Sequence, residues 1–275
     1  MLDELIKIFS SYEFMQRAVI VGGLVALCAA LLGVSLVLKR YSMIGDGLSH
    51  VGFGTMAIAT ALNFAELEFS IPIVVISAFL LLRISENSKI KGDALIAMIS
   101  TGALAIGVMV VSLTKGMNVD IQNFMFGSIL TIEKKDLWLS VVLCIAVLVL
   151  YIFSYSKIFS VTFDESFAKA TGVNTGAYNM LLAILTSITI VLGMRLMGAL
   201  LISALIIFPP LSSMRIFKSF KRVVIFSAIV AVISFVLGII ISYFYSVPAG
   251  ASIVCVNIAM FILCMSIGNI KKFIN

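Results

Sequence analysis

Long apolar stretches alternate with short polar ones along nearly the whole sequence. A helix needs about 20 apolar residues to cross the hydrocarbon core of a bilayer, and several charge-free stretches approach or exceed that length. They cover residues 18–38, 94–114, 137–156, 170–194, 196–214 and 223–270. The last stretch is long enough for two helices, and the aromatic and turn-forming residues at 243–250 divide it. This pattern predicts a series of membrane-spanning helices.

We predict a single all-α, polytopic membrane domain over residues 1–275, with eight or nine transmembrane helices. The predicted spans are 17–38, 43–62, 69–83, 94–113, 137–156, 178–194, 196–211, 223–243 and 249–268. The third and seventh spans are short, so one or both are candidates for a half-helix or a re-entrant segment. Residues 1–16 are charged and lack a small-residue cleavage site, which predicts an interfacial segment rather than a removable signal peptide.

Composition agrees with this class of protein. The chain is 62% hydrophobic and 12% charged, with a mean hydropathy of +1.21, which excludes an ordinary soluble domain. The four cysteines all lie in apolar stretches and lack CxxC spacing, so buried thiols are a better interpretation than disulfides or a zinc cluster. They are Cys28, Cys144, Cys255 and Cys264.

Charge is distributed unevenly between the two sides of the predicted topology. The loops 39–42, 83–93, 157–177 and 211–222, with the C-terminal tail, hold thirteen Lys/Arg and four Asp/Glu, whereas the other side holds six and eight. Because cytoplasmic loops carry an excess of Lys and Arg, we predict an outside N-terminus and a cytoplasmic C-terminus. The net charge of +6 then reflects membrane orientation and gives no reason to expect a nucleic-acid partner.

The second predicted helix carries the most informative polar residues. His50 is the only histidine of the chain, and Asp46 precedes it by four residues. Four helical residues advance about 6 Å and turn about 400°, so both side chains lie on one face. Such a pair can hold a divalent cation and is costly in a membrane. We predict a metal path here; the alternative is a pair that hydrogen-bonds internally or caps the helix. The small residues Gly45 and Ser49 predict close approach of another helix.

Five short stretches follow one another along the chain in a distinctive order. They are Phe14–Ala18, Ser42–His50, Asp120–Leu130, Asp164–Val173 and Arg195–Pro210. Together, in this order, they resemble the permease subunits of bacterial ABC importers for zinc, manganese or iron. Within that resemblance, the third stretch looks like an external loop, the fourth like the cytoplasmic coupling segment and the fifth like a late membrane motif.

The resemblance implies a homodimeric permease of the bacterial plasma membrane, embedded in lipid, that imports Zn, Mn or Fe. It implies an ABC ATPase on the cytoplasmic side, an extracytoplasmic metal-binding protein, and no permanently bound cofactor. Asp46 and His50 of both protomers would hold the transported metal. The resemblance assigns ATPase coupling, within the 157–177 loop, to Asp164, Glu165, Phe167, Ala168 and Gly172. Gly172 is also placed to end a short helix; a solvated loop helix is the alternative for this segment.

Some local features depart from the family pattern or leave a role open. Gly47 stands where the family usually has Ala, and Gly52–Gly54 where it often has Leu-Pro; each extra glycine weakens a helix by about 1 kcal/mol, which predicts a more flexible segment. Glu66 and Glu68 lie in a predicted external loop, where they either attract cations, contact a binding protein or are simply solvated, the last being favoured. Arg195 is predicted at an external turn.

Other functions are weighed against the same residues. No GxxxxGK[ST] occurs in the sequence, so we assign ATP hydrolysis to a separate chain and do not predict an enzyme. A secondary, proton-coupled metal transporter could use the same Asp46–His50 pair. A permease for a metal chelate, such as a siderophore or cobalamin, is disfavoured by that pair and by the smaller helix count. An intramembrane enzyme is disfavoured because the sequence has no Gly-x-Ser-x-Gly, no HExxH and no second histidine.

Overall fold

The computed structural model describes residues 13–87, 92–114 and 134–274. Within these ranges the chain forms helices joined by short turns and contains no β-strand. The helices are α1 (Glu13–Leu38), α2 (Ser42–Ala61), α3 (Glu66–Asn87), α4 (Gly92–Thr114), α5 (Lys134–Phe163), α6 (Glu165–Ala170), α7 (Thr175–Met197), α8 (Ala199–Ile216), α9 (Phe220–Tyr245) and α10 (Ala249–Ile274). Residues 1–12 of the predicted interfacial segment, and the stretch Asp120–Leu130, lie outside the described residues.

Seven of the described helices are long and apolar enough to cross a bilayer, which confirms the predicted class of helical membrane protein. α2 and α3 are less apolar, because α2 carries several Gly, Ser and Thr residues with the Asp46–His50 pair, and α3 begins with Glu66 and Glu68. The expectation of a short third span is wrong, since α3 has 22 residues. Its glutamates are favourable at a helix N-terminus and let the helix start before the apolar stretch. α8, with 18 residues, is the shortest of the seven.

The helices form an inner group and an outer group. In an apolar 18-residue segment of each helix, 72% of α7 and 67% of α1 are buried, compared with only 22% of α5 and 28% of α10. Val25, Ile190 and Leu205 are fully enclosed at the centre, while large apolar side chains such as Met98 and Phe153 point outward from the outer helices. Outward apolar faces are unfavourable in water but suit the hydrocarbon core of a bilayer.

Glycines allow α2 and α4 to approach each other closely. A Cβ added at Gly54 would lie 2.6 Å from the backbone oxygen of Ala103, and one added at Gly107 would lie 2.9 Å from the Cα of Gly54. At Gly52 the same addition would come within 3.1 Å of the Met194 side chain. The glycines at 52 and 54, where relatives of the predicted family often have Leu-Pro, therefore have a packing role in this chain.

One glycine separates α7 from α8. Gly198 has φ +86°, a backbone conformation that L side chains rarely adopt, and it is the only residue between the two helices. The predicted turn at Arg195 is therefore misplaced by three residues, because the helical pattern continues until a residue able to take this conformation is reached. Arg195 lies in the last turn of α7.

Gly54→Ala should destabilise the protein by roughly 1–3 kcal/mol, because its methyl group would overlap the backbone of α4. Gly102→Ala is the matched control, since Gly102 lies inside α4 with nothing within 4 Å of the added Cβ. This control should be neutral or stabilising by up to about 1 kcal/mol. Thermal unfolding of the purified proteins in detergent measures both changes. Equal midpoints for the two variants would contradict the proposed close packing.

Candidate metal path and coupling segment

Asp46 and His50 share one face of α2, as predicted. The distance between Asp46 Oδ2 and His50 Nε2 is 3.8 Å, and 42% of the Asp46 side chain and 25% of the His50 side chain are exposed. This distance is longer than a hydrogen bond, and Asp46 is the fifth residue of α2 rather than its cap. The alternative of an internally hydrogen-bonded or capping pair is therefore not what the structure contains. Both side chains keep free ligand atoms.

The pair lies on the wall of an open cavity of about 230 Å³ between α2 and α4. Met43 completes the α2 wall, and α4 contributes Ser100 and Thr101 among apolar residues. The two hydroxyl groups donate to carbonyl oxygens one turn earlier in α4, at 2.7 and 2.8 Å. Each hydroxyl oxygen therefore keeps acceptor capacity towards the cavity. The cavity offers a polar strip in an otherwise apolar part of the bundle.

Ser203 of α8 also contacts Asp46, and sequence reasoning missed it. Its hydroxyl lies 3.3 Å from Asp46 Oδ1 and 3.1 Å from the carbonyl oxygen of Ala199. Donation to the carboxylate would orient it, as groups around metal ligands commonly do. The sequence feature that could have pointed to Ser203 is its position as a hydroxyl residue inside the apolar stretch Arg195–Pro210. Close packing brings α8 here, because Gly45 faces Ile206 with 3.1 Å left for an added Cβ.

The described residues of one chain offer only part of the ligand set that a metal site would need. Among the described residues, no group of three or more His, Cys, Asp or Glu side chains comes together. Asp46 and His50 thus contribute one carboxylate and one imidazole, whereas a protein zinc site usually has three or four protein ligands. A metal held by this pair would need further ligands, which water, the cavity hydroxyls or other protein groups would have to supply.

The predicted coupling segment forms a short capped helix. Asp164 is the N-cap of α6 and accepts a 2.9 Å hydrogen bond from the Phe167 backbone N–H. At the other end Gly172 has φ +84°, and the N–H of Val173 donates to the Ala168 carbonyl oxygen at 2.9 Å. This last bond satisfies one of the carbonyl groups at the end of the helix. The prediction that Gly172 ends a short helix is confirmed.

Polar contacts join α6 to two other helices. Glu165 forms a 3.2 Å ion pair with Lys39, just after α1, and accepts a 3.0 Å hydrogen bond from Asn179 of α7. Lys39 also donates to the Asn179 side-chain oxygen. Ala168 is fully buried, whereas 63% of the Phe167 surface is exposed. The helix is therefore anchored on one face and presents an aromatic ring on the other.

Comparison with known proteins decides the class of this protein. The sequence matches the ABC 3 transport family over residues 11–268. The chain belongs to the ABC 3 transport family. It is therefore a multi-pass membrane component of an ABC transporter, in the plasma membrane, and not an enzyme, as the sequence predicted.

Individual relatives cover almost the whole chain. The chain is 30% identical to the high-affinity zinc uptake system membrane protein ZnuB of Haemophilus influenzae, over 92% of this chain and 97% of that protein. It is 28% identical to the manganese import system permease protein ScaB of Streptococcus gordonii, over 100% and 98%. The solved structure of PsaBC from Streptococcus pneumoniae in complex with Fab is similar at TM-score 0.86, with 28% identity, over 96% of this chain and 95% of that one.

In this ABC 3 permease, Glu66 is not a solvated loop residue. It begins α3, where its carboxylate pairs with Arg195 of α7 and accepts a 2.9 Å hydrogen bond from Thr60 of α2. Glu68, by contrast, is exposed. The favoured interpretation of a solvated pair is therefore wrong for Glu66, because the end of α7 brings a cation that the linear sequence places 129 residues away.

Glu66→Gln should lower stability by roughly 0.5–1.5 kcal/mol, since the amide oxygen can still accept from Thr60 but the charge attraction to Arg195 is lost. About three quarters of each side chain is buried, so this ion pair should contribute more to stability than a fully exposed pair would. Glu68→Gln is the matched control and should change stability by less than about 0.5 kcal/mol. Thermal unfolding provides the measurement. A destabilisation of the control as large as that of Glu66→Gln would contradict the ion pair's role.

Proposed function

We propose that this ABC 3 permease forms the translocation path of an ATP-driven importer for a divalent metal ion. The observation that carries the proposal is the Asp46–His50 pair, whose Oδ2 and Nε2 lie 3.8 Å apart beside an open cavity. Mixed oxygen and nitrogen ligands suit Mn²⁺, Zn²⁺ and Fe²⁺, and a pair without thiolate favours release of the ion. Relatives named for manganese and zinc transport support this cargo class.

The working unit in this proposal is a homodimer. Two copies would bring two carboxylates and two imidazoles to one site, which is enough for a four-coordinate or partly hydrated ion. The partial exposure of Asp46 and His50 on a single chain supports this, because their free ligand atoms face open space. The α2 helices of the two protomers would then face each other across the twofold axis.

Two further partners complete the proposed importer. A separate ABC ATPase would supply energy, since the sequence has no P-loop, and it would dock on α6. The anchored, aromatic-bearing helix supports this assignment: Asp164 and Gly172 define its ends, Glu165 and Ala168 fix it, and Phe167 is left for the partner. An extracytoplasmic metal-binding protein would deliver the ion on the opposite side.

The cation-rich end of the bundle supports the proposed orientation. Phe220, at the start of α9, packs on Phe163, at the end of α5, with ring centroids 6.0 Å apart. Lys39 pairs with Glu165, so the end of α1 and α6 lie at the same end. The basic residues of the 157–177 and 211–222 loops thus share one side, which we propose is cytoplasmic. The N-terminus is then outside and the C-terminus inside.

Lys39 connects the proposed ATPase contact to the metal path. It lies three residues before Ser42, where α2 begins, and it is bonded to Glu165 of α6. A movement of α6 on ATP-driven closure would therefore displace the start of α2, which carries Asp46 one turn later. In this scheme the ion passes between alternately open faces because the same helix responds to the ATPase and lines the path.

Asp46→Asn and His50→Gln should each reduce metal uptake by about tenfold or more, because each removes a ligand while preserving polarity and approximate size. Ser203→Ala should cause a smaller loss, since the carboxylate remains but loses an orienting contact. Radiolabelled manganese, zinc and iron accumulation by cells expressing the complete transporter provides the measurement. Glu68→Gln is the control for removing an acidic charge away from the cavity.

Normal accumulation by both ligand variants, at normal membrane levels, would contradict the metal-path assignment. A second arm separates the proposed importer from a proton-coupled transporter. Uptake should stop when the partner ATPase carries a substitution that prevents ATP hydrolysis while the complex still assembles. Uptake that persists in that strain and responds to the proton gradient would support the secondary transporter instead.

Phe167→Ala should weaken association with the ATPase by roughly tenfold or more, since an exposed aromatic anchor often carries a large share of interface energy. Phe153→Ala is the matched control, because 86% of the Phe153 surface is exposed on α5 without being part of α6. The ATPase that co-purifies with the tagged permease is quantified for each variant. Equal recovery of the ATPase with both variants would argue against docking on α6.

A further inference from the structure

A second, larger cavity lies at the same cation-rich end of the bundle. It is open, has a volume of about 740 Å³ and is formed by the end of α8, the start of α9 and the end of α10. α8 and α10 approach closely here, since a Cβ added at Gly268 would lie 2.5 Å from the Arg215 carbonyl oxygen. The metal path described above lies between α2 and α4, so this cavity belongs to a different part of the bundle.

The lining of this cavity is strongly positive. Four cationic side chains line it, and among the described residues none that lines it is acidic. The four are Arg215, Lys218, Arg222 and Lys271. None of these four cations takes part in the salt bridges identified among the described residues. Those salt bridges are Lys39–Glu165, His50–Asp46 and Arg195–Glu66. Cations gathered in one concave site repel one another and attract an anion.

Two of the cations are held in place by aromatic rings. The Arg215 guanidinium lies 5.7 Å from the centre of the Phe261 ring, and Lys271 Nζ lies 5.9 Å from that of Phe217. Cation–π contacts of this length orient the charges without neutralising them. Arg215 is also in the last turn of α8, where helix carbonyl groups favour a cation. The fold therefore accounts for the positions of these two.

The other two cations have no such explanation. Lys218 and Arg222 flank the N-terminus of α9, where free backbone N–H groups already create positive potential and cations are unfavourable. No acidic residue lies in the first turn of α9, and its N-cap, Ser219, makes no side-chain capping hydrogen bond. An anion at this position would interact with the helix N-terminus and with both side chains at once.

The surroundings of the cavity favour a lipid headgroup over a free anion. Arg222, Ile225 and Ile229 follow one another at three- and four-residue spacing on one face of α9, and both isoleucines are exposed. On α10, exposed Ile267 lies four residues before Lys271. Each helix thus carries a cation at the cavity and apolar side chains leading away from it into the predicted bilayer. A free phosphate would interact with the cations but not with these apolar side chains.

We propose that this cavity binds the anionic phosphate headgroup of a membrane phospholipid, with its acyl chains lying along α9 and α10. Basic cavities between membrane helices on the cytoplasmic side are suited to such headgroups. An acidic surface of a protein partner is the competing occupant. The lipid is favoured because the exposed apolar faces continue directly from the cations. The proposed docking element for the protein partner, α6, packs on α5 and α7 instead of on the helices that form this cavity.

The test uses the full-length permease, purified in detergent and titrated separately with phosphatidylglycerol, phosphatidylcholine and inorganic phosphate. Retained lipid is counted by native mass spectrometry, and the thermal unfolding midpoint is followed in parallel. Phosphatidylglycerol should bind and raise the midpoint, because a ligand of the native state stabilises it. Lys218→Gln/Arg222→Gln should weaken this binding roughly tenfold to thirtyfold, at about 1 kcal/mol per surface cation.

The double variant Arg40→Gln/Lys157→Gln is the matched control, since it removes two exposed cations outside the cavity and should bind phosphatidylglycerol like the wild type. Equal weakening in both double variants would overturn the site, because it would reduce the effect to net charge. Stabilisation by inorganic phosphate as strong as that by phosphatidylglycerol would overturn the lipid assignment. Unchanged lipid binding with lost recovery of the ATPase would assign the cavity to a protein partner.

Discussion

Close packing of α2 against its neighbours is the constraint on which the candidate site depends. Without side chains at Gly54 and Gly107, the backbones of α2 and α4 come almost into contact. In a membrane the hydrophobic effect does not drive helices together, so small residues and van der Waals contact have to do so. The result is a mostly buried α2 in which Asp46 and His50 are directed to the one side where the cavity with α4 opens.

Polar contacts hold α2 at both of its ends. Lys39, just before α2, bonds to Glu165 and Asn179, and Thr60, near its end, bonds to Glu66. Each contact joins groups that would be costly to leave without a partner at the edge of a bilayer. These two networks fix the ends of α2, so they act together with the glycine packing in setting its position along the bundle.

Much of the fold could be predicted because its main determinants are local in sequence. The lengths of the apolar stretches predict the spans, and the i, i+4 spacing predicts the shared face of Asp46 and His50. The position of Gly172 predicts where α6 ends. The remainder depends on long-range packing. Ser203 reaches Asp46 only because α8 packs on α2, and Glu66 is paired only because α7 ends beside it. No local pattern identifies such partners, and from the glycines at 52 and 54 the sequence predicts only flexibility, because it does not show what packs against them.

α7 connects the two polar networks and so provides a structural route for the coupling proposed above. Asn179 lies near its start and Arg195 in its last turn, about 24 Å apart by helical rise. A buried, regular helix of this length shortens or bends only at a considerable cost, because its hydrogen bonds have no alternative partners in lipid. A displacement of α6 would therefore reach the far end of α2 as a tilt of α7. In the proposed importer, opening at one end of the path and closing at the other would then be parts of one movement.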